Sequence, residues 1–235
     1  MKISKSKFVA GAQCLKRLYW QVHEPELAAE PDASDYAIME QGREVGRLAR
    51  QLFAGGVEVR AGDPEQAIRI TRELIANPGV PCVFEAAFSN GDVLVRVDIL
   101  HRRRDGRWRL IEVKSTASSK EEHLDDVAIQ ARVVSRSGHD VASSCLMHVN
   151  RNYVFDGSID VRRFFKIKNL TRRVERLQPK LTFQLRSELR VLAMPSPPEI
   201  PVGPHCTNPI TVRVFRPLQS PTPRRPHRVS ATTPC

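Results

Sequence analysis

One stretch, VRVDILHRRRDGRWRLIEVKS at residues 95–115, carries three side chains of types that phosphoryl chemistry uses: Asp98, Glu112 and Lys114. The two carboxylates offer hard oxygens, which suit Mg²⁺ or Mn²⁺ and leave room for water and a phosphate oxygen. A metal held there would polarise the phosphoryl group and lower the pKa of an attacking water. Lys114, two residues beyond Glu112, projects on the same side of its strand, where an ammonium orients that water or neutralises the charge building on phosphate. The same spacing also arises on the solvent face of a two-sided strand, so the pattern needs its surroundings to acquire meaning.

Those surroundings read as a β-meander. Asp105-Gly106 is a favoured hairpin turn, and the runs on either side alternate with period two. Val93, Val95, Val97 and Ile99 are expected on one face of the first strand, with Arg96 and Asp98 on the other. In the second strand Ile111 and Val113 oppose Leu110, Glu112 and Lys114, which predicts an exposed face shared by the two carboxylates and the ammonium. An earlier run, PCVFEAAF (81–88), joins through Ser89-Asn90-Gly91 and contributes Glu85. Ser119, with Glu122 three residues on, opens a helix through a capping box. Leu124, Val127, Ala128, Ala131 and Val134 form its apolar stripe, and Gln130 lies beside it. SCLMHVN (144–150) is then a fourth strand, returned to the sheet by that crossover. Upstream, helices are expected from Ala37 to Gly55-Gly56 and from Asp63-Pro64 to Asn77-Pro78-Gly79. A long amphipathic helix spans 171–193, bent at Pro179. Residues 1–35 read as irregular, with an apolar-aromatic cluster at Leu18, Tyr19 and Trp20.

The chain of 235 residues has 37 Lys+Arg against 26 Asp+Glu, a formal charge of +11 and a pI near 9.9. Such a field favours polyanions, nucleic acid first, although a solvated surface gives the same total. No apolar run is long enough for a signal peptide or a membrane span, so a cytoplasmic location with no membrane partner is expected. Past Met194 the character changes: eleven of the 17 prolines lie there, and no acidic residue follows Thr211. Residues 212–235 read as a disordered basic Pro/Arg tail.

The motifs FEAAF, VRVDIL, LIEVKS and HLDDVAIQ, in that order, resemble the RecB-like branch of the PD-(D/E)XK nuclease superfamily, close to the CRISPR-associated RecB-like exonucleases. The likeness extends to a bacterial domain of unknown function whose N-terminal segment matches SKSKFVAGAQCLKRLYW (4–20), and covers roughly residues 3–209. It implies an α/β fold: a mixed central β-sheet flanked by helices, a restriction-endonuclease-like core. It further implies Asp98 and Glu112 as metal ligands for Mg²⁺ or Mn²⁺, Glu85 as a supporting carboxylate, Lys114 as the catalytic lysine and Gln130 as the helix residue near the site. DNA is the implied substrate.

Two departures from that family matter. Gly46 stands where many relatives carry a metal-ligating histidine, so that either Glu85 or Glu40 compensates or the metal is bound more weakly. Relatives also hold an iron–sulfur cluster; Cys14 and Cys206, in GPHCTNP, match its ligands, but the next cysteine is Cys235. A 4Fe–4S cluster needs four ligands, so an incomplete one is expected here. The switch of composition inside that motif is what a reading-frame shift produces. Cys82 and Cys145 read as core thiols, and His123 as a solvated surface histidine. Arg102, Arg103 and Arg104, at the hairpin tip, either track a phosphate backbone or decorate a turn. The expected organisation is an N-terminal segment 1–35 bearing Cys14, a nuclease core with its C-terminal helix at 36–194, a cysteine-bearing remnant at 195–211 and the tail. Its expected activity is metal-dependent hydrolysis of DNA on single strands or ends, the alternative being a nucleic-acid-binding protein of the same fold without turnover.

Overall fold

A computed structural model describes residues 3–28, 30–118, 122–201 and 203. Ser119 of the expected capping box, Cys206, Cys235 and the tail expected to be disordered (212–235) lie outside these residues. The chain is a mixed α/β protein with a seven-stranded sheet flanked by helices. In chain order the elements are β1 (Ile3–Ser4), α1 (Lys5–Gln13), α2 (Leu15–His23), a 3-10 turn (Pro25–Leu27), α3 (Ala33–Arg50), β2 (Val57–Glu58), α4 (Pro64–Ala76), β3 (Cys82–Asn90), β4 (Val93–Arg102) and β5 (Trp108–Lys114). There follow α5 (Glu122–Arg136), β6 (Val141–Val149), α6 (Val161–Phe164), β7 (Phe165–Asn169) and α7 (Thr171–Leu192).

The sheet runs β2-β3-β4-β5-β6-β7, and β1 pairs with β4 outside that path. β3, β4 and β5 form the antiparallel meander, and α5 returns the chain so that β6 lies parallel to β5, as expected. Residues 1–35 are not irregular: they hold a short strand and two helices. Ser4 caps α1 by accepting from the Lys7 N–H, and Leu18, Tyr19 and Trp20 are buried on α2. The sequence concealed these helices because each is only nine residues long and they abut at Cys14. Helix α3 begins four residues earlier than expected, because Asp32 and Asp35 make a reciprocal capping box. The two-residue β2 and the exposed β7 carry too little alternation to be read from sequence.

Two apolar layers enclose the sheet. On one side α1, α2, α4, α5 and α7 cover Val83, Ala86, Val93, Val95, Val97, Leu100, Leu110 and Leu146. On the other, Val45 and Ala49 of α3 meet Phe84, Ile99, Ile111, Cys145 and Met147. Ile99 is therefore not on the face of the three valines. β3 and β4 reverse face together between Phe84↔Ile99 and Ala86↔Val97, with Glu85 and Asp98 at the crossing. Glu85 has a φ of 56°, a left-handed conformation that a non-glycine residue adopts only against a cost.

Candidate active site

The site lies where the sheet forks. β4 pairs with β5 only over 99–102, ending at Ile99↔Ile111. Beyond that, β1 takes the vacated edge at Val93 and Leu94. Between them, among the described residues, β4 has no ladder partner on that side, and Asp98 faces the opening. The Val113 N–H, released from the ladder, donates instead to Asp98 Oδ2 at 2.7 Å. A buried amide needs such a partner, so Asp98 also stitches the fork.

Glu112 and its neighbours lie on the α5 side. Glu112 is 1% exposed, contrary to the expectation of an exposed face. Its Oε1 accepts from Lys114 Nζ at 2.8 Å and from Lys5 Nζ at 2.7 Å, and its Oε2 from Gln130 Nε2 at 2.7 Å. Lys114 Nζ also meets Asp126 Oδ2 at 2.5 Å. Gln130, fully buried, also donates to the Asp126 carbonyl, while its Oε1 has no partner among the described residues. Burial works against the Glu112 charge, yet the two ammonium groups prevail and hold its pKa low. Burial likewise opposes the Lys114 charge, and Glu112 and Asp126 outweigh it, so that pKa is raised. Asp98 goes the other way: burial, with the Glu112 charge behind it, pushes its pKa up against the pull of Lys5 and the Val113 N–H.

On the α3 side Asp98 and Glu85 line a cleft of about 660 Å³ together with Glu40, Arg43, Arg47 and Arg50. The three arginines recur at helical spacing along α3. Arg43 pairs with Glu40, Arg47 with Glu44, and Arg50 with both Glu58 and, at 2.8 Å, Glu85 Oε1. A side chain built at Gly46 would meet nothing within 4 Å, so this part of the cleft wall is open.

The structure thus brings Asp98, Glu112, Lys114 and Gln130 together, with Glu85 beside Asp98 but tied to Arg50. It adds Lys5 and Asp126, which the sequence reading had not named as site residues. Asp126 precedes Gln130 by four residues, one helical turn, and that spacing was a usable signal. Lys5 gave none: it is 107 residues from Glu112 in sequence. The carboxylate oxygens are of the kind Mg²⁺ or Mn²⁺ prefers. The arrangement nevertheless does not fit a metal: among the described residues no three acidic, histidine or cysteine side chains converge as ligands. Both oxygens of Glu112 are already held by cations and an amide.

The hairpin tip stands about 20 Å along the strand from Asp98. Arg102 points inward: it donates to the carbonyls of Ile75, Asn77 and Val80, and its guanidinium covers the Trp108 ring at 4.2 Å. It is a clasp between the hairpin and the end of α4. Arg103 bonds Asp105 in the turn, and Arg104 is exposed. Cys14, Cys82 and Cys145 are buried. His123 is buried too, at 5% exposure, where a solvated position was expected.

No family model matches the chain, and no curated protein does. A solved structure described as "Crystal structure of SSO0001" is similar at a TM-score of 0.37 and 15% identity, covering 77% of this chain and 75% of that one. Among the described residues no helix is long and apolar enough to cross a membrane.

Proposed function

We propose that the chain is a divalent-metal-dependent nuclease that hydrolyses DNA phosphodiester bonds, on single strands or at ends. One observation carries this reading: Asp98, Glu112, Lys114 and Gln130, from two strands and a helix, form one charged group at a fork in the sheet, beside an arginine-lined cleft. Charged groups so enclosed return little net stability, and such clusters concentrate at functional sites. Lys114, anchored by Asp126, presents a fixed cation near phosphate, and Arg43 and Arg47 sit where a strand entering the cleft would pass. The basic excess of the chain favours the same partner.

The test is cleavage of end-labelled single-stranded and duplex DNA with and without Mg²⁺ or Mn²⁺. Wild type should cut only with metal, Asp98→Asn should lose activity, and Lys114→Ala should be slower by about 10²–10³-fold. Cleavage that persists in Asp98→Asn would reject the site. A second reading, a nucleic-acid-binding protein of this fold without turnover, is favoured by the occupied Glu112 carboxylate. It predicts salt-sensitive DNA binding with no cleavage under any metal.

A further inference from the structure

We infer that the seam between the C-terminal end of α5 and the start of α7 is a phosphate-binding site, from which a single nucleic-acid strand runs along the outer face of α7. This surface lies across the sheet from the arginine-lined cleft and does not depend on turnover there.

The residue that points to a ligand is Arg132 of α5. It is only 9% exposed, yet among the described residues it has neither a carboxylate partner nor a hydrogen-bond acceptor. A guanidinium is all donor, and one so buried is ordinarily paired. Burial, and behind it the like charges of Arg136 and Arg186, pull its pKa down. No carboxylate among the described residues pairs with any of the three. An anion held between them would relieve both the burial and the repulsion.

The fold gives that anion a place. Arg132 and Arg136 line a cavity of about 210 Å³ with Ser135, Ser144 and Thr171. Thr171 opens α7, a helix of 22 residues, so the positive end of its dipole adds to the field. Glu175 is the one acid of the lining, and against two arginines it leaves the pocket positive.

What adjoins the pocket favours a strand over a free phosphate. A second cleft, of about 450 Å³, shares Thr171 and Glu175 with the first and is lined by Arg172. Arg172, Arg176 and Lys180 stand exposed on successive turns of α7, and none pairs with a carboxylate among the described residues. Phe183, 73% exposed, follows on the same face. Cations there suit phosphates, and an open ring suits an unpaired base. The apolar side of α7, at Val174, Leu181 and Leu192, is buried in the core, so this helix has no apolar face to lay into a membrane.

The full chain carrying Arg43→Ala and Arg47→Ala, in which the cleft contributes little, should be titrated with fluorescein-labelled oligothymidylate without metal and followed by anisotropy. On that background Arg132→Met and Arg136→Ala should each weaken binding about tenfold and make its salt dependence shallower. Phe183→Ala should weaken binding and leave the salt dependence as it was. Arg69→Ala, which removes the same charge from α4, should change neither. Arg132→Met should melt no lower than the chain it is made in, because it deletes an unpaired charge. Arg136 is exposed, so its variant keeps the test decisive whatever Arg132→Met does to the fold. No binding once Arg43 and Arg47 are gone, or binding equal in all variants, overturns the α7 surface and leaves the cleft reading standing. Uptake of inorganic pyrophosphate or phosphatidylserine vesicles with the strand ignored overturns the nucleic-acid assignment.

Discussion

Two individual residues depart from what their surroundings ordinarily permit. Glu188 of α7 is a fully buried carboxyl: Gln184 donates to its Oε1, its Oε2 has no partner among the described residues, and it presses on Gly11, where a Cβ would lie 2.6 Å from it. Burial pushes its pKa up to about 8. The folded chain therefore binds this proton more tightly than the unfolded one, and stability falls as pH rises from about 4.5 towards 8. A denaturant series from pH 5 to 9 should show that fall, by roughly 3–5 kcal/mol at most from Glu188, and Glu188→Gln should shrink it, leaving the part that Asp98, also raised by burial, adds below about pH 7. A wild-type profile flat over that range would contradict the assignment. Glu85, at a φ of 56°, should answer differently to two small substitutions: Glu85→Gly should exceed Glu85→Ala in stability by about 1 kcal/mol, since only glycine relaxes there. Both lose the bond to Arg50, so their difference isolates the backbone. Glu112 now belongs with the residues that support the fold. Its removal takes from Lys5 its ion-pair partner and from Lys114 one of two, so Glu112→Ala should unfold more easily than wild type, which cannot be said of an exposed carboxylate.

Among the elements, the β4–β5 hairpin was the most legible. Alternation, the Asp105-Gly106 turn and the spacing of Asp98 and Glu112 fixed their adjacency, and the stripe of α5 brought Gln130 over them. What alternation could not convey was the reversal of face at Glu85 and Asp98, because it preserves the register while exchanging inside for outside. For the same reason an arginine run at a turn was open to two readings. Three backbone carbonyls and the Trp108 ring settle Arg102 as a clasp. Arg102→Ala should cost about 1–3 kcal/mol of stability, measured by urea unfolding, through its lost bonds to the three carbonyls and its lost cover of the Trp108 ring. It should leave the salt dependence of any DNA binding as in wild type, whereas Arg43→Ala with Arg47→Ala should flatten that dependence. On α3, the open wall at Gly46 accepts a side chain without collision, so Gly46→His should fold with unchanged or raised stability. On the metal-dependent reading it should also tighten Mn²⁺ binding, read by calorimetry.

At the scale of the molecule, the sheet is assembled from distant parts of the chain. The layers, the crossover helix and the position of the long C-terminal helix follow from patterns within some 20 residues, and those were readable. The insertion of β1 beside β4 pairs residues 3 and 93, and no local pattern announces it. That pairing has a consequence for time. Closing so long a loop costs about 4 kcal/mol of chain entropy, against which stand two strand residues and the burial of Ile3 and Phe8. Contacts of that separation tend to form late in folding, and segments held by so few bonds are among the first to exchange with solvent. As the polypeptide leaves the ribosome, its first residues must wait for strands made some ninety residues later. The amides of 3–5 should accordingly lose deuterium protection well before those of β4 and β5.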